Sequence, residues 1–234
     1  MATKRIFSKE KVAQNWSHLW NELPQEQYEM LLEHIEIKKF KKNEIIYKNL
    51  DFPRQALCLL QGKVKVFKDG INGKNQIIRV VKPDEFFAYR AYFANECYRT
   101  AAMAIEPCVV ALLPIGILMK LMEQNYHVSL FFIRQLCVEI GKSDDRTVNL
   151  TQKHIRGRLA EALIFLLESY GTEEDGSTLN IYLSREDLAN ISNMTTSNAI
   201  RTLSAFANEQ LVAIDGRKIK LLKEEELRKI STQG

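Results

Sequence analysis

Ser184-Arg-Glu-Asp-Leu-Ala-Asn-Ile-Ser-Asn-Met-Thr-Thr-Ser-Asn-Ala-Ile-Arg-Thr-Leu-Ser204, continuing to Asp215-Gly216, reads as two short helices, a tight turn and a β-hairpin. Ser184 stands where an N-cap belongs and Asp187 follows three residues on, a capping-box-like start with Asp in place of Glu or Gln. Leu188, Ala189 and Ile191 give the first helix an apolar face, and Ser192-Asn193-Met194 interrupts it. Thr195 is the next N-cap. From there Ala199, Thr202, Leu203 and Phe206 fall at helical spacing and face inward, while Thr196, Ser197, Ile200, Arg201 and Ser204 fall on the other side. Val212-Ala-Ile214 and Lys218 to Leu222 flank an Asp-Gly turn, the signature of a hairpin.

This layout predicts a winged helix-turn-helix, which places its second helix in the major groove of DNA. Thr196 and Ser197 then reach base edges, Ile200 meets a thymine methyl, and the planar fork of Arg201 suits guanine or phosphate. Thr195, Arg217 and Lys218 complete the expected contact set. An ordinary amphipathic helical hairpin with a solvated polar face is the competing reading. The basic residues Arg201, Arg217, Lys218, Lys220, Lys223, Arg228 and Lys229 favour the first, and Glu224, Glu225 and Glu226 offset them in part.

The chain has 234 residues, enough for one large or two modest domains, with 46% hydrophobic and 26% charged residues and a net charge of +4. That charge permits nucleic-acid binding without demanding it. Met1-Ala-Thr-Lys-Arg5 is not followed by an apolar signal core, and no apolar run is long enough to span a bilayer, so a cytoplasmic protein with no membrane role is expected. Cys58, Cys97, Cys108 and Cys137 form no Cys-x-x-Cys pair and read as reduced, mostly buried thiols. His18, His34, His127 and His154 are scattered, and no metal site is expected.

Residues 11 to 36 read as helical around a break at Pro24. From Lys38 the period becomes two. Strands are expected at Ile45–Tyr47, Ala56–Leu60, Val64–Phe67, Gln76–Val81, Thr100–Ile105 and Val109–Leu113, separated by turn signals that include Gln61-Gly62, Asp69-Gly70, Asn72-Gly73 and Lys82-Pro83-Asp84. Such spacing predicts an antiparallel sandwich or jelly roll. Helices follow at Ile115 to about Glu123, at about Val128 to Leu150 and at Ile155 to about Tyr170, with a strand at Leu179–Leu183. On the long helix Ile133, Leu136, Ile140, Thr147 and Leu150, with Ser143 in the series, form a heptad seam wide enough to pair two chains. The fold class is therefore α+β, in three parts: 1–125 a helical lead-in and effector-sensing jelly roll, 126–152 a dimerisation helix, 153–234 the winged helix-turn-helix.

Taken in this order, the chain resembles the Crp/Fnr transcription regulators from about Leu31 to Leu222. The resemblance is carried by Lys42-Asn-Glu-Ile-Ile-Tyr47, Leu59-Leu-Gln-Gly-Lys-Val-Lys-Val-Phe67, Pro83-Asp-Glu-Phe-Phe-Ala-Tyr-Arg-Ala-Tyr-Phe93 with Arg99-Thr-Ala101, and the helix-turn-helix. It implies a homodimeric regulator that binds a pseudo-palindromic operator, contacts RNA polymerase if it activates, and is governed by a small-molecule effector in the jelly roll rather than by catalysis. In cyclic-nucleotide-binding members the cassette carries Gly-Glu and then Arg before a small residue. Here Ala88 and Tyr89 stand at the Gly-Glu positions, Arg90 follows, and Arg99 and Thr100 fall on the Arg-hydroxyl positions. Loss of the ribose-binding carboxylate argues against cyclic AMP, and no other cofactor is implied. Arg99 has two readings, an anionic ligand or an acid such as Glu85 or Glu96. Ser143 and Asp144 fall where relatives place hydroxyl contacts to the base, and only Ser143 matches in type. On the recognition helix only Arg201 keeps the base-reading type, so a different operator is expected. Two rivals are a cupin-type metalloenzyme, disfavoured because residues 40–113 contain no His, and a small-ligand-binding regulatory protein without a DNA role.

Overall fold

β3 (Gln55–Gln61) and β8 (Cys108–Pro114) are apolar along nearly their whole length because both of their faces are covered. They pair antiparallel, with Cys58 opposite Ala111 and Leu57 opposite Leu112. Leu57, Leu59, Val110 and Leu112 point into the sandwich. Ala56, Cys58, Leu60, Ala111 and Leu113 point the other way, into a helical layer. The computed structural model describes residues 7–70 and 75–233. These form two units, residues 7–68 with 79–141 and residues 69–70 and 75–78 with 142–233.

In the first unit α1 (Lys9–Leu19) and α2 (Gln25–His34) precede the strands. The helical reading of 11–36 becomes these two helices. Pro24 separates them, and extended backbone at Ile35 ends the second. β1 (Glu36–Phe40), β2 (Ile45–Tyr47), β4 (Val64–Asp69), β5 (Asn75–Val81, of which residues 75–78 count to the second unit), β6 (Phe86–Phe87) and β7 (Ala101–Ala104) complete two four-stranded sheets, ordered β1-β8-β3-β6 and β2-β7-β4-β5. The expected Asn72-Gly73 turn lies outside the described residues. Gly62, at φ +90°, makes the β3–β4 turn; a Cβ there would meet Cys108 Cβ and the Pro107 carbonyl at 2.7 Å each, so no other residue fits.

The helical layer is aromatic. Trp16 of α1 and Trp20, which caps its C-terminus, cluster with Phe86, and with Phe131 and Phe132 of α5 (Tyr126–Gln152), at centroid separations of 4.8–6.4 Å. α3 (Arg90–Phe93) lies in the turn between β6 and β7, and α4 (Ile115–Gln124) buries Ile115, Leu118 and Leu121. Cys58 and Cys108 are buried, Cys97 is half-buried and Cys137 is exposed on α5, so the expectation of mostly buried thiols holds for two of them.

The second unit contains α6 (Ile155–Tyr170), α7 (Arg185–Ile191), α8 (Thr196–Asn208), β9 (Val212–Asp215), β10 (Lys218–Leu221) and α9 (Glu224–Gln233). Leu179–Leu183 is not a strand. Only isolated bridges form, Thr178 with Lys220 and Thr172 with Leu179. Leu179, Ile181 and Leu183 are buried while Tyr182 is 43% exposed. The alternation that suggested a strand thus reflects packing of an extended segment on a core, without a ladder. No helix among the described residues is long and apolar enough to cross a membrane.

Candidate nucleic-acid interface

The helix-turn-helix is built from its caps outward. Ser184 Oγ accepts from the Asp187 amide at 3.0 Å, the N-cap bond expected from the spacing, and donates to Asp187 Oδ2 at 2.8 Å. The turn after α7 is closed by Ser192, whose hydroxyl donates to the Leu188 carbonyl at 2.7 Å, and by Asn193 at φ +50°, a conformation Asn tolerates. Asn therefore replaces the Gly common at this turn. Within the same unit Gln76 Nε2 donates to the Asn190 carbonyl and to Asn193 Oδ1, and so grips both sides of the turn. Gln76 is remote in sequence, and no local pattern marks it.

α8 starts at Thr195, whose Oγ1 accepts from the Asn198 amide at 3.2 Å. Ala199, Thr202, Leu203 and Phe206 are buried. Thr196, Ser197, Ile200, Arg201 and Ser204 are exposed on the opposite side. Asn198 Oδ1 accepts from Arg201 Nη2 at 2.6 Å, which draws the guanidinium toward the start of the helix. At the far end Glu209 takes both arms of Arg156 at 2.7 Å, and that guanidinium lies 4.9 Å over the Phe206 ring.

The wing turns at Asp215-Gly216, with Gly216 at φ +55°. Arg185 Nη2 donates to the Gly216 carbonyl at 2.7 Å and ties the wing to the first helical turn of α7. The basic tail is largely engaged inside the unit. Lys218 meets Glu173 at 3.0 Å and lies over the Tyr182 ring, Lys220 meets Asp175 at 3.2 Å, and Arg228 meets Glu168 at 2.7 Å. The Glu173 hydrogen bond raises the Lys218 ammonium above its ordinary value. Arg217 is exposed and meets no carboxylate among the described residues. Of the two wing cations expected to face a ligand, Arg217 is the uncommitted one.

In the first unit, Ala88 and Tyr89 lead into α3, Arg90 of α3 and Arg99 meet at Glu96, and Thr100 lies apart, beside Tyr47. Ala88 adopts φ +68°, the left-handed backbone that the Gly position requires, at a cost of roughly 1 kcal/mol for a residue with a Cβ. Tyr89 is 3% exposed, with ring centroids 4.9 Å from Phe132 and 5.8 Å from Phe93, and burial pushes its hydroxyl up to about 12. A single carboxylate serves two cations: Glu96 receives Arg90 at 2.9 Å and Arg99 at 2.7 Å. The Arg90 hydrogen bond, then the charge of Arg99, hold the Glu96 carboxyl below its ordinary range. Glu85 pairs instead with Arg79 at 3.2 Å, and Arg79 also reaches Glu139 of α5 at 3.2 Å. Thr100 Oγ1 lies 3.1 Å from the Tyr47 hydroxyl. Ser143 and Asp144 are exposed on α5 within the other unit. These residues do not fit a cyclic nucleotide: the position that the resemblance gives to the ribose-binding carboxylate is filled by the buried Tyr89 ring.

On α5, Ile133 is 53% and Ile140 61% exposed, Leu136 is half-buried, Thr147 is exposed, and the Leu150 side chain lies outside the described residues.

Residues 37–125 match the cyclic nucleotide-binding domain and residues 157–230 the Crp-like helix-turn-helix domain. The anaerobic regulatory protein of Bacillus subtilis is 26% identical over 202 residues, covering 85% of each chain. FixK2 from Bradyrhizobium japonicum superposes with a TM-score of 0.76 at 21% identity, over 84% of this chain and 96% of that one. A transcriptional regulator of the Crp/Fnr family from Eubacterium rectale superposes with a TM-score of 0.78 at 17% identity, over 93% and 99%. With an effector-type jelly roll, a long connecting helix and a Crp-like reading head in that order, this chain belongs to the Crp/Fnr family of DNA-binding transcription regulators.

Proposed function

We propose that the protein is a homodimeric regulator in which α8 of each copy enters the DNA major groove, with Arg201 as the principal base contact and Thr196, Ser197 and Ile200 beside it. The observation that carries this reading is the clean division of α8: one face is anchored by Ala199, Thr202, Leu203 and Phe206, and the other is exposed with a capped, positively charged start. Thr195 and Arg217 flank that face and supply backbone contacts. Lys218 contributes only after it leaves Glu173.

Two copies pair along α5 through Ile133, Leu136, Ile140, Thr147 and Leu150. Three functional parts result: sensing at 1–125, pairing at 126–152 and reading at 153–234. A two-fold dimer reads a pseudo-palindrome whose half-sites lie about 34 Å apart. The effector is a small anion other than cyclic AMP, and the Arg99–Thr100 turn is its point of entry. An activating member also touches RNA polymerase.

Fluorescence anisotropy on operator DNA selected from a random pool tests the assignment. Arg201→Ala is expected to lose about 1–3 kcal/mol and to relax preference at one base pair of each half-site. Unchanged affinity and unchanged preference would sink it.

A further inference from the structure

At the edge formed by β1 and β2, residues of both sheets line a cleft of about 470 Å³, within the range of small-molecule sites. Leu57 and Leu112 contribute apolar floor from the sandwich interior. Tyr47 and Tyr98, stacked at 4.1 Å, form one wall. The 48–54 loop contributes Asp51, Phe52 and Arg54 to the lining and is tied to Tyr98 by backbone hydrogen bonds. The Leu50 amide donates to the Tyr98 carbonyl at 2.8 Å, and the Tyr98 amide donates to the Asp51 carbonyl at 3.0 Å. Leu50 is kept at φ +70°, a strained conformation for a bulky residue, and strain of this kind gathers at functional positions.

The loop presents two large apolar side chains to water, Leu50 at 75% and Phe52 at 72% exposure. Phe52 lines the cleft. The polar groups around the mouth are uneven in charge. Asp51 is occupied as a turn acceptor, with Lys48 N at 2.9 Å. Lys38 lies 3.6 Å from Glu36. Arg54 meets no carboxylate among the described residues, and the Tyr47 hydroxyl is engaged by Thr100 at 3.1 Å. What remains unmatched is an aromatic surface and a guanidinium. A guanidinium fork pairs bidentately with a carboxylate.

We propose that this cleft binds a small aromatic carboxylate, its ring against Phe52 and the apolar floor and its carboxylate on Arg54, with Lys38 adding charge. The site is separate from the Arg90–Glu96–Arg99 group, and it does not depend on the DNA-reading assignment. In its tyrosine wall, Tyr47 is the partner of Thr100 and Tyr98 precedes Arg99, so an occupant lies against the turn that carries both.

The test uses the full-length chain with 2-naphthoate and its neutral counterpart 2-naphthamide, followed by saturation-transfer NMR and calorimetry. Saturable naphthoate binding is expected with a dissociation constant on the order of a millimolar or tighter. Arg54→Gln should weaken naphthoate by roughly fivefold and leave the amide unaffected. Phe52→Ser, at an exposed position that the fold does not need, should weaken both. His18→Gln, in a different cleft of about 370 Å³, should change neither. Absence of saturable binding, equal affinity for acid and amide, or indifference to Arg54→Gln overturns the proposal.

Discussion

Placing a charge on Ile140 of α5 probes the pairing seam without touching a folded core. Ile140 leaves 61% of its surface uncovered in the single chain. That is about 100 Å² of apolar area, and covering it contributes about 2.5 kcal/mol at ~25 cal/mol per Å². Two-fold symmetry repeats the contact, so one substitution acts twice and removes about 5 kcal/mol from the dimer. This corresponds to more than about a thousandfold in the dissociation constant, before the added penalty of bringing two aspartates together. Sedimentation equilibrium across a concentration series reads the effect directly. Wild type should be dimeric at low micromolar concentration and Ile140→Asp monomeric, while circular dichroism and thermal unfolding of the monomer stay unchanged because the residue is solvent-facing. An Ile140→Asp chain that sediments as wild type at every concentration would refute α5 as the seam.

Three further outcomes are expected. Phe206→Ala removes a fully buried ring from α8 and the platform under Arg156; unfolding of the C-terminal unit followed by urea should show a loss of about 3–5 kcal/mol. Thr195→Ala deletes the acceptor for the Asn198 amide and should cost about 1 kcal/mol in the same assay, with Thr195→Ser close to neutral. The folded-state value of Glu96 lies below its ordinary 4.5, so its stabilising contribution is complete above that value and is lost as pH falls through the lower one. The stability gap between wild type and Glu96→Gln should therefore close in acid, and a gap that is constant with pH would remove the ion pairs from the account.

How much was readable in advance depended on how local each interaction is. The caps at Ser184 and Thr195 rest on contacts three residues apart, and the inward face of α8 and the Asp-Gly wing on short-range spacing, so each was legible. α6 was bounded correctly by its apolar spacing. β1 escaped because Glu36-Ile-Lys-Lys-Phe40 has little apolar content and is defined by pairing with β8. β6 is two residues long and has no period to detect. Leu179–Leu183 misled because burial can alternate without a ladder. At the candidate site, position alone located Ala88 and its backbone requirement, but only three dimensions revealed that Tyr89 turns into the aromatic layer and that Lys218 is held by Glu173. Between Glu85 and Glu96, Arg99 takes the acid three residues away, a local pair, while Glu85 is held by Arg79.

The shared carboxylate of Glu96 has a consequence for any effector that reaches Arg99. The cassette already contains its own anion, tethered to both cations and present at a high effective concentration. An incoming anion therefore competes with a built-in rival and binds only by the difference in its interactions. The threshold at which the cassette responds is set as much by the hold of Arg90 on Glu96 as by the ligand itself. Substitutions at Arg90, which need never touch the ligand, should move that threshold up or down like the setting of a thermostat.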